Sequence, residues 1–177
     1  MEETENVKKT RRAERRLSGF QRFAIQVFAF FLIIYILFAY IIGIMSMPSN
    51  DMYPRIDGGD MLLYYRLDKD PKAQDIIAFE KNDTRYVSRV VAVEGDTVEI
   101  IDDGTVKVNG NSLMEGNIFY ETYRLEGYTK YPLVLDEGEC FVLSDSRRGS
   151  EDSRYYGPVK YSEIVGTIIT IMRRNNL

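Results

Sequence analysis

The chain holds no histidine and a single cysteine, Cys140, among its 177 residues. That removes a Ser-His-Asp triad, a Cys-His pair, a histidine-ligated zinc and any internal disulfide. No metal and no cofactor are expected. What remains is serine, carboxylate and lysine chemistry: a hydroxyl as nucleophile, and an amine or carboxylate as base. Such residues gather in four stretches. The first is Ser49-Asn50-Asp51-Met52-Tyr53-Pro54, with Gly59-Asp60 behind it. The second is Gln74-Asp75-Ile76-Ile77-Ala78-Phe79. The third opens Tyr86-Val87-Ser88-Arg89 and closes Glu94-Gly95-Asp96. The fourth runs Ser144-Asp145-Ser146-Arg147-Arg148-Gly149-Ser150-Glu151-Asp152-Ser153-Arg154, then Tyr156-Gly157.

The elements that carry these stretches differ sharply along the chain. Residues 1–22 hold seven basic and four acidic side chains, a net charge of +3. Phe23 to Met47 is uncharged, and the total of -4 therefore leaves -7 on residues 48–177. An acidic body argues against a nucleic-acid partner. The 23–47 run is long enough for a transmembrane helix, which needs about 20 apolar residues. A buried core helix of that length would show a polar face. A signal peptide would carry a shorter apolar region and a small-x-small cleavage site. Here the run ends in Met45-Ser46-Met47-Pro48, so we read an uncleaved anchor. The positive-inside rule then places tail 1–22 in the cytoplasm, and residues 48–177 outside the plasma membrane as the body of a single-pass membrane protein.

That body is read as mainly β and antiparallel. Met61–Tyr65, Asp75–Phe79, Tyr86–Val93, Thr97–Ile101, Thr105–Val108, Leu133–Leu135, Cys140–Leu143 and Ile164–Met172 are short, apolar and bounded by turn residues. Asp102-Asp103-Gly104 marks a hairpin between two of them. No long amphipathic helix is visible after residue 47. Residues 109–132 are less regular, with tyrosines at 120, 123, 128 and 131, and are read as a loop or small subdomain.

The order of the four stretches behind an N-terminal anchor resembles the type I signal peptidases, which are membrane-anchored Ser/Lys peptidases. The resemblance runs from the anchor to about Met172 and implies a signal-peptidase-like β fold that acts on exported precursors. It also implies an apolar patch that touches the lipid surface. Each stretch is weak alone; four in order are not. Both positions of the implied dyad are substituted. Where the family has its serine nucleophile, in Ser-Met-x-Pro, this chain has Asp51. Where the family has its lysine base, it has Ser88. Ser49 matches a hydroxyl on the oxyanion side of the cleft, and Ser150 and Asp152 match cleft-supporting positions. Arg89, Asp145, Arg147 and Arg154 match ion-pairing positions. Gln74, Ser144 and Ser146 stand where the family prefers Gly, Gly and Asn.

A lysine base works because desolvation keeps it neutral near pH 7, and a serine at position 88 cannot replace it. Asp51 is a poor nucleophile toward an amide. Three chemical readings stay open: Ser88 attacking with Asp51 as base, an Asp51/Asp152 carboxylate pair, and no cutting chemistry at all with Asp51 bonded to Ser88. Ser88 and Arg89 should face opposite sides of their strand, which suits Arg89 to a structural ion pair. With both dyad positions lost, the chain looks most like the noncatalytic signal-peptidase-like proteins of pilus assembly in Gram-positive bacteria. The implied partners are a pilin precursor or other exported peptide, a pilin-joining sortase and the lipid bilayer. An active signal peptidase with an altered mechanism is the alternative.

Overall fold

A computed structural model describes residues 18–173 except 117, 119 and 126–128. The chain divides into two units, Met1–Phe38 and Ala39–Leu177. The basic residues before Ser18 and the tyrosine at 128 lie outside the described residues.

In the first unit, helix α1 spans Gly19–Ile36 and passes into a π-helical turn, Leu37–Ile41. Ser18 starts it with a reciprocal cap: its hydroxyl accepts from Gln21 N at 3.2 Å, and Gln21 Oε1 accepts from Ser18 N at 2.9 Å. None of the α1 side chains is buried. Gly19–Ile41 is 23 residues, about 34 Å of helix, against a hydrocarbon layer of roughly 30 Å. It is long and apolar enough to cross a membrane.

The apolar run 23–47 does not stay helical throughout. Ile42–Ser46 forms strand β1, antiparallel to β2 (Met61–Tyr65), with Gly43 opposite Tyr64. Hydropathy alone cannot separate a lipid-facing helix from an apolar strand that follows it directly. The cross-strand partner that makes the distinction lies about twenty residues further on.

The second unit is built from two antiparallel sheets. The larger runs β1-β2-β11-β3-β4-β9-β10, with β3 at Ile76–Lys81, β4 at Thr84–Ala92, β9 at Glu139–Leu143, β10 at Val159–Lys160 and β11 at Ile164–Met172. The smaller runs β7-β6-β5-β8, with β5 at Thr97–Ile100, β6 at Val106–Val108, β7 at Asn111–Ser112 and β8 at Leu133–Val134. This is the mainly β, antiparallel architecture expected from the sequence. The Asp102-Asp103-Gly104 turn does join β5 to β6, and Asp103 Oδ1 accepts from Thr105 N at 2.8 Å. A single short helix, α2 (Ser153–Tyr156), follows β9.

Period-two alternation distributes the apolar residues among three cores. On β9, Phe141 and Leu143 face a core with Val98, Ile100 and Val106 of the small sheet. Cys140 and Val142 face another, with Ile77, Phe79, Val90, Val159 and Ile164. Burial pushes the Cys140 thiol up to about 12, so it packs as a small neutral core residue. The third core places Met52 and Ile56 of the β1–β2 loop against Leu62, Ala78 and Val87. That loop carries Asp51, so burial of Met52 beside it fixes the backbone of the first stretch. A bulge between Val90 and Ala92 puts Val91 and Ala92 in the same core, and β4 changes face there.

Glycine is required where Tyr64 lies against its neighbours. A Cβ on Gly166 would sit 2.4 Å from the Tyr65 carbonyl oxygen and 2.8 Å from Tyr64 Cδ2. Gly166→Ala should therefore lower the unfolding free energy by about 2 kcal/mol or more through overpacking. Chemical denaturation of the full chain in detergent, read by tyrosine fluorescence, checks this.

Candidate functional site

The four stretches converge through the backbone. Asp51, in the β1–β2 loop, accepts at its carbonyl oxygen from Ser146 N at 2.8 Å, which ties the first stretch to the fourth. Ser88 sits on β4 opposite Ile77, with Arg89 beside it opposite Ile76. The 144–154 loop is held by its own side chains. Ser150 Oγ donates to the Ser146 carbonyl at 2.5 Å, and Arg147 Nε donates to the Ser144 carbonyl at 2.7 Å.

Three buried guanidinium groups are each matched by a carboxylate. Arg89 grips Asp145 through Nε at 2.8 Å and a second nitrogen at 2.6 Å, and also donates to the Gln74 carbonyl at 3.2 Å. Arg154 holds Asp152 in the same two-pronged way, at 2.8 and 2.9 Å. Arg147 pairs with Glu115 and also bonds the Thr122 hydroxyl. Forked pairs of this kind are the geometry in which a buried guanidinium is satisfied. Glu115 and Thr122 come from the irregular 109–132 segment, which the sequence offered as a loop or small subdomain. Of the tyrosines there, Tyr120 and Tyr123 are exposed, while Tyr131 packs edge-on against Phe141.

Asp152 is fully buried and also accepts from Ser144 N and Arg154 N, both at 3.1 Å. Its acceptor capacity is spent on structure. It does not form a carboxylate pair with Asp51, and nothing in the geometry favours an aspartic mechanism.

The dyad positions are each engaged with a different neighbour. Half-buried Asp51 accepts from Ser49 Oγ at Oδ2, 2.6 Å away. Ser49, expected on the oxyanion side, is thus a donor to Asp51. Ser88, only 1 % exposed, lies beside the Tyr156 phenol, whose hydroxyl donates to the Glu151 carbonyl at 3.5 Å. Among the described residues no hydrogen bond joins Asp51 to Ser88, contrary to the bond the sequence suggested. Burial pushes the Tyr156 phenol far above its ordinary range, the charge of Asp152 adds to this, and the Ser88 hydroxyl opposes it. Tyr156 is therefore a neutral donor at physiological pH, not a base. It packs with Phe79 and Tyr86, ring centroids 6.0 and 5.4 Å away, and Tyr86 donates to Glu151 Oε2 at 2.9 Å. The sequence carried no signal for Tyr156 in this role, because only the fold brings α2 against β4.

Two lysines with partly buried hydrogen bonds are engaged elsewhere. Lys81 donates to the Pro158 carbonyl at 2.6 Å and to Glu163 at 3.1 Å. Lys69 is lowered by burial and by the charge of Arg66, but it donates to the Ile164 carbonyl on β11.

The comparisons with known proteins agree with this scaffold. The family model described as signal peptidase, peptidase S26, matches residues 20–173. The chain belongs to the signal peptidase family. Signal peptidase I of Bacillus caldolyticus is 32% identical over 134 residues, covering 68% of this chain and 73% of that enzyme. Thylakoidal processing peptidase 1 of Arabidopsis thaliana is 33% identical over 138 residues, and the match spans 68% of this chain but only 39% of that protein. A crystal structure of a signal peptidase I from Enterococcus faecalis V583 is 36% identical, covers 56% of this chain and 97% of that one, and has a TM-score of 0.46. Against the signal peptidase pattern, two of the substituted glycine positions leave a mark. Gln74 adopts φ +78°, a left-handed conformation that favours glycine. Ser144 is fully buried and its hydroxyl has no hydrogen-bond partner among the described residues.

Two outcomes follow for stability, both readable by thermal unfolding of the full chain. Gln74→Gly and Ser144→Ala should each stabilise by about 1 kcal/mol, through relief of backbone strain and of an unpaired hydroxyl respectively. Asp145→Ala should destabilise by about 3–5 kcal/mol, because it leaves the buried Arg89 guanidinium uncompensated.

Proposed function

We propose that this member of the signal peptidase family binds exported peptide segments without cutting them. The observation that carries the reading is the setting of the dyad positions: Asp51 is bonded to Ser49, and Ser88 is buried beside the Tyr156 phenol. Neither is a nucleophile–base pair, and among the described residues no lysine amine is bonded to Asp51 or Ser88. Around them the ion pairs that shape the cleft are kept. A cleft with its frame intact and its chemistry removed is suited to holding an extended strand by main-chain hydrogen bonds. In this reading helix Gly19–Ile41 anchors the chain in the plasma membrane with its basic tail in the cytoplasm. The β domain then works at the outer face, as an accessory factor in pilus assembly that holds a pilin precursor for a sortase. The pilus assignment rests on the resemblance of a doubly substituted dyad.

A second reading, an active signal peptidase with an altered mechanism, is favoured by its relatives. Those from Bacillus caldolyticus and Staphylococcus aureus are named as signal peptidases. Incubating the full chain in liposomes with a purified pilin precursor separates the two. We expect no cleavage by the native chain and measurable cleavage by Asp51→Ser/Ser88→Lys. Cleavage by the native chain that disappears in Asp51→Ala would establish the second reading.

A further inference from the structure

The ion pairs of the site leave the Asp51 carboxylate without a cation. Arg89, Arg147 and Arg154 are matched by Asp145, Glu115 and Asp152. Lys81 is matched by Glu163. Asp51 has no such match: among the described residues no lysine or arginine pairs with it. Its Oδ2 takes the Ser49 hydroxyl at 2.6 Å, and its Oδ1 takes no hydrogen bond among the described residues. The carboxylate is half-buried, so it is neither fully solvated nor neutralised. It is also anchored: Met52 next to it is buried in the third core, and its own carbonyl is bonded to Ser146 N.

We infer that Asp51 is a recognition group for a cationic side chain, lysine or arginine, on the bound peptide. The inference rests on the peptide-binding reading above and names the class of peptide that reading leaves open. An oriented carboxylate with one free oxygen accepts a charge-assisted hydrogen bond from an ammonium or guanidinium. Partial burial reduces the screening that weakens exposed pairs. A neutral peptide gains nothing there, and an acidic one is repelled. Substitution of the family's serine by aspartate thus exchanges a group that attacks a carbonyl for one that selects a cation. Ser49 is the positioning residue, because its hydroxyl fixes the orientation of the carboxylate.

The test varies the peptide first, so that no variant has to fold. Fluorescein-labelled nonapeptides of alanine, valine and threonine carry a central lysine, glutamine or glutamate. Binding to the full chain in nanodiscs is read by fluorescence anisotropy at low and high salt. The lysine peptide should bind about tenfold tighter than the glutamine peptide, and the glutamate peptide weakest. The lysine preference should shrink at high salt. Asp51→Asn should bring the lysine-to-glutamine ratio close to one, and Ser49→Ala should reduce it partway. Equal binding of the lysine and glutamine peptides would overturn the inference while leaving the peptide-binding reading standing. A lysine preference that survives in Asp51→Asn would overturn it too, by assigning the preference to another group. Failure of all three peptides to bind would overturn the peptide-binding reading and this inference with it.

Discussion

The site depends on how one buried carboxylate is satisfied. Asp152 is removed from water and accepts from Ser144 N, Arg154 N and the Arg154 guanidinium. An uncompensated charge in that position would cost several kcal/mol. These bonds close the loop between the end of β9 and α2. Arg154 then reaches the Arg147 carbonyl at 2.9 Å, and the loop it shapes presents Ser146 N to Asp51. The position of the first stretch is thus set by a side chain about a hundred residues away in sequence. The tyrosine that meets Ser88 sits at the end of the helix that Asp152 caps.

This arrangement divides the site into positions that are costly to change and positions that are not. Removing one partner of a buried guanidinium–carboxylate pair strands the other charge and costs about 3–5 kcal/mol. The dyad positions carry no such penalty. At position 51 one carboxylate oxygen takes the Ser49 hydroxyl, and at position 88 a serine is buried beside the Tyr156 phenol. Neither exchange strands a buried charge. The catalytic positions are therefore among the least costly places in the cleft to change, and the arginine pairs among the most costly. What is kept is the frame of ion pairs, with aspartate at position 51 and serine at position 88.

Much of this was legible in the residues. Period-two patterning and turn residues located most of the strands within one or two positions, because burial on one or both faces leaves that periodicity in the sequence. The ion-pairing candidates Arg89, Asp145, Arg147 and Arg154 could be picked out, but not all their partners. Glu115 and Thr122 lie in a segment with no periodicity, and their contacts to Arg147 are set by tertiary placement. Strand β1 was hidden because its apolar residues continue the apolar residues of the helix. The Ser49–Asp51 bond spans two residues, yet sequence cannot say whether a carboxylate turns back to its neighbour or across to the next strand. Tyr156 could not be foreseen at all, since its contact with Ser88 requires α2 to fold over β4.

The most direct test of a cleft that holds but does not cut is to capture its occupant. Tyr53, exposed and two residues from Asp51, can be replaced by a photoreactive benzophenylalanine in the full chain. The variant is irradiated in liposomes with a purified pilin precursor, and the adduct is weighed by intact mass spectrometry. The account predicts an adduct with the mass of the chain plus the whole, uncut precursor. An adduct with a cleaved fragment, or no adduct at saturating precursor, would contradict it.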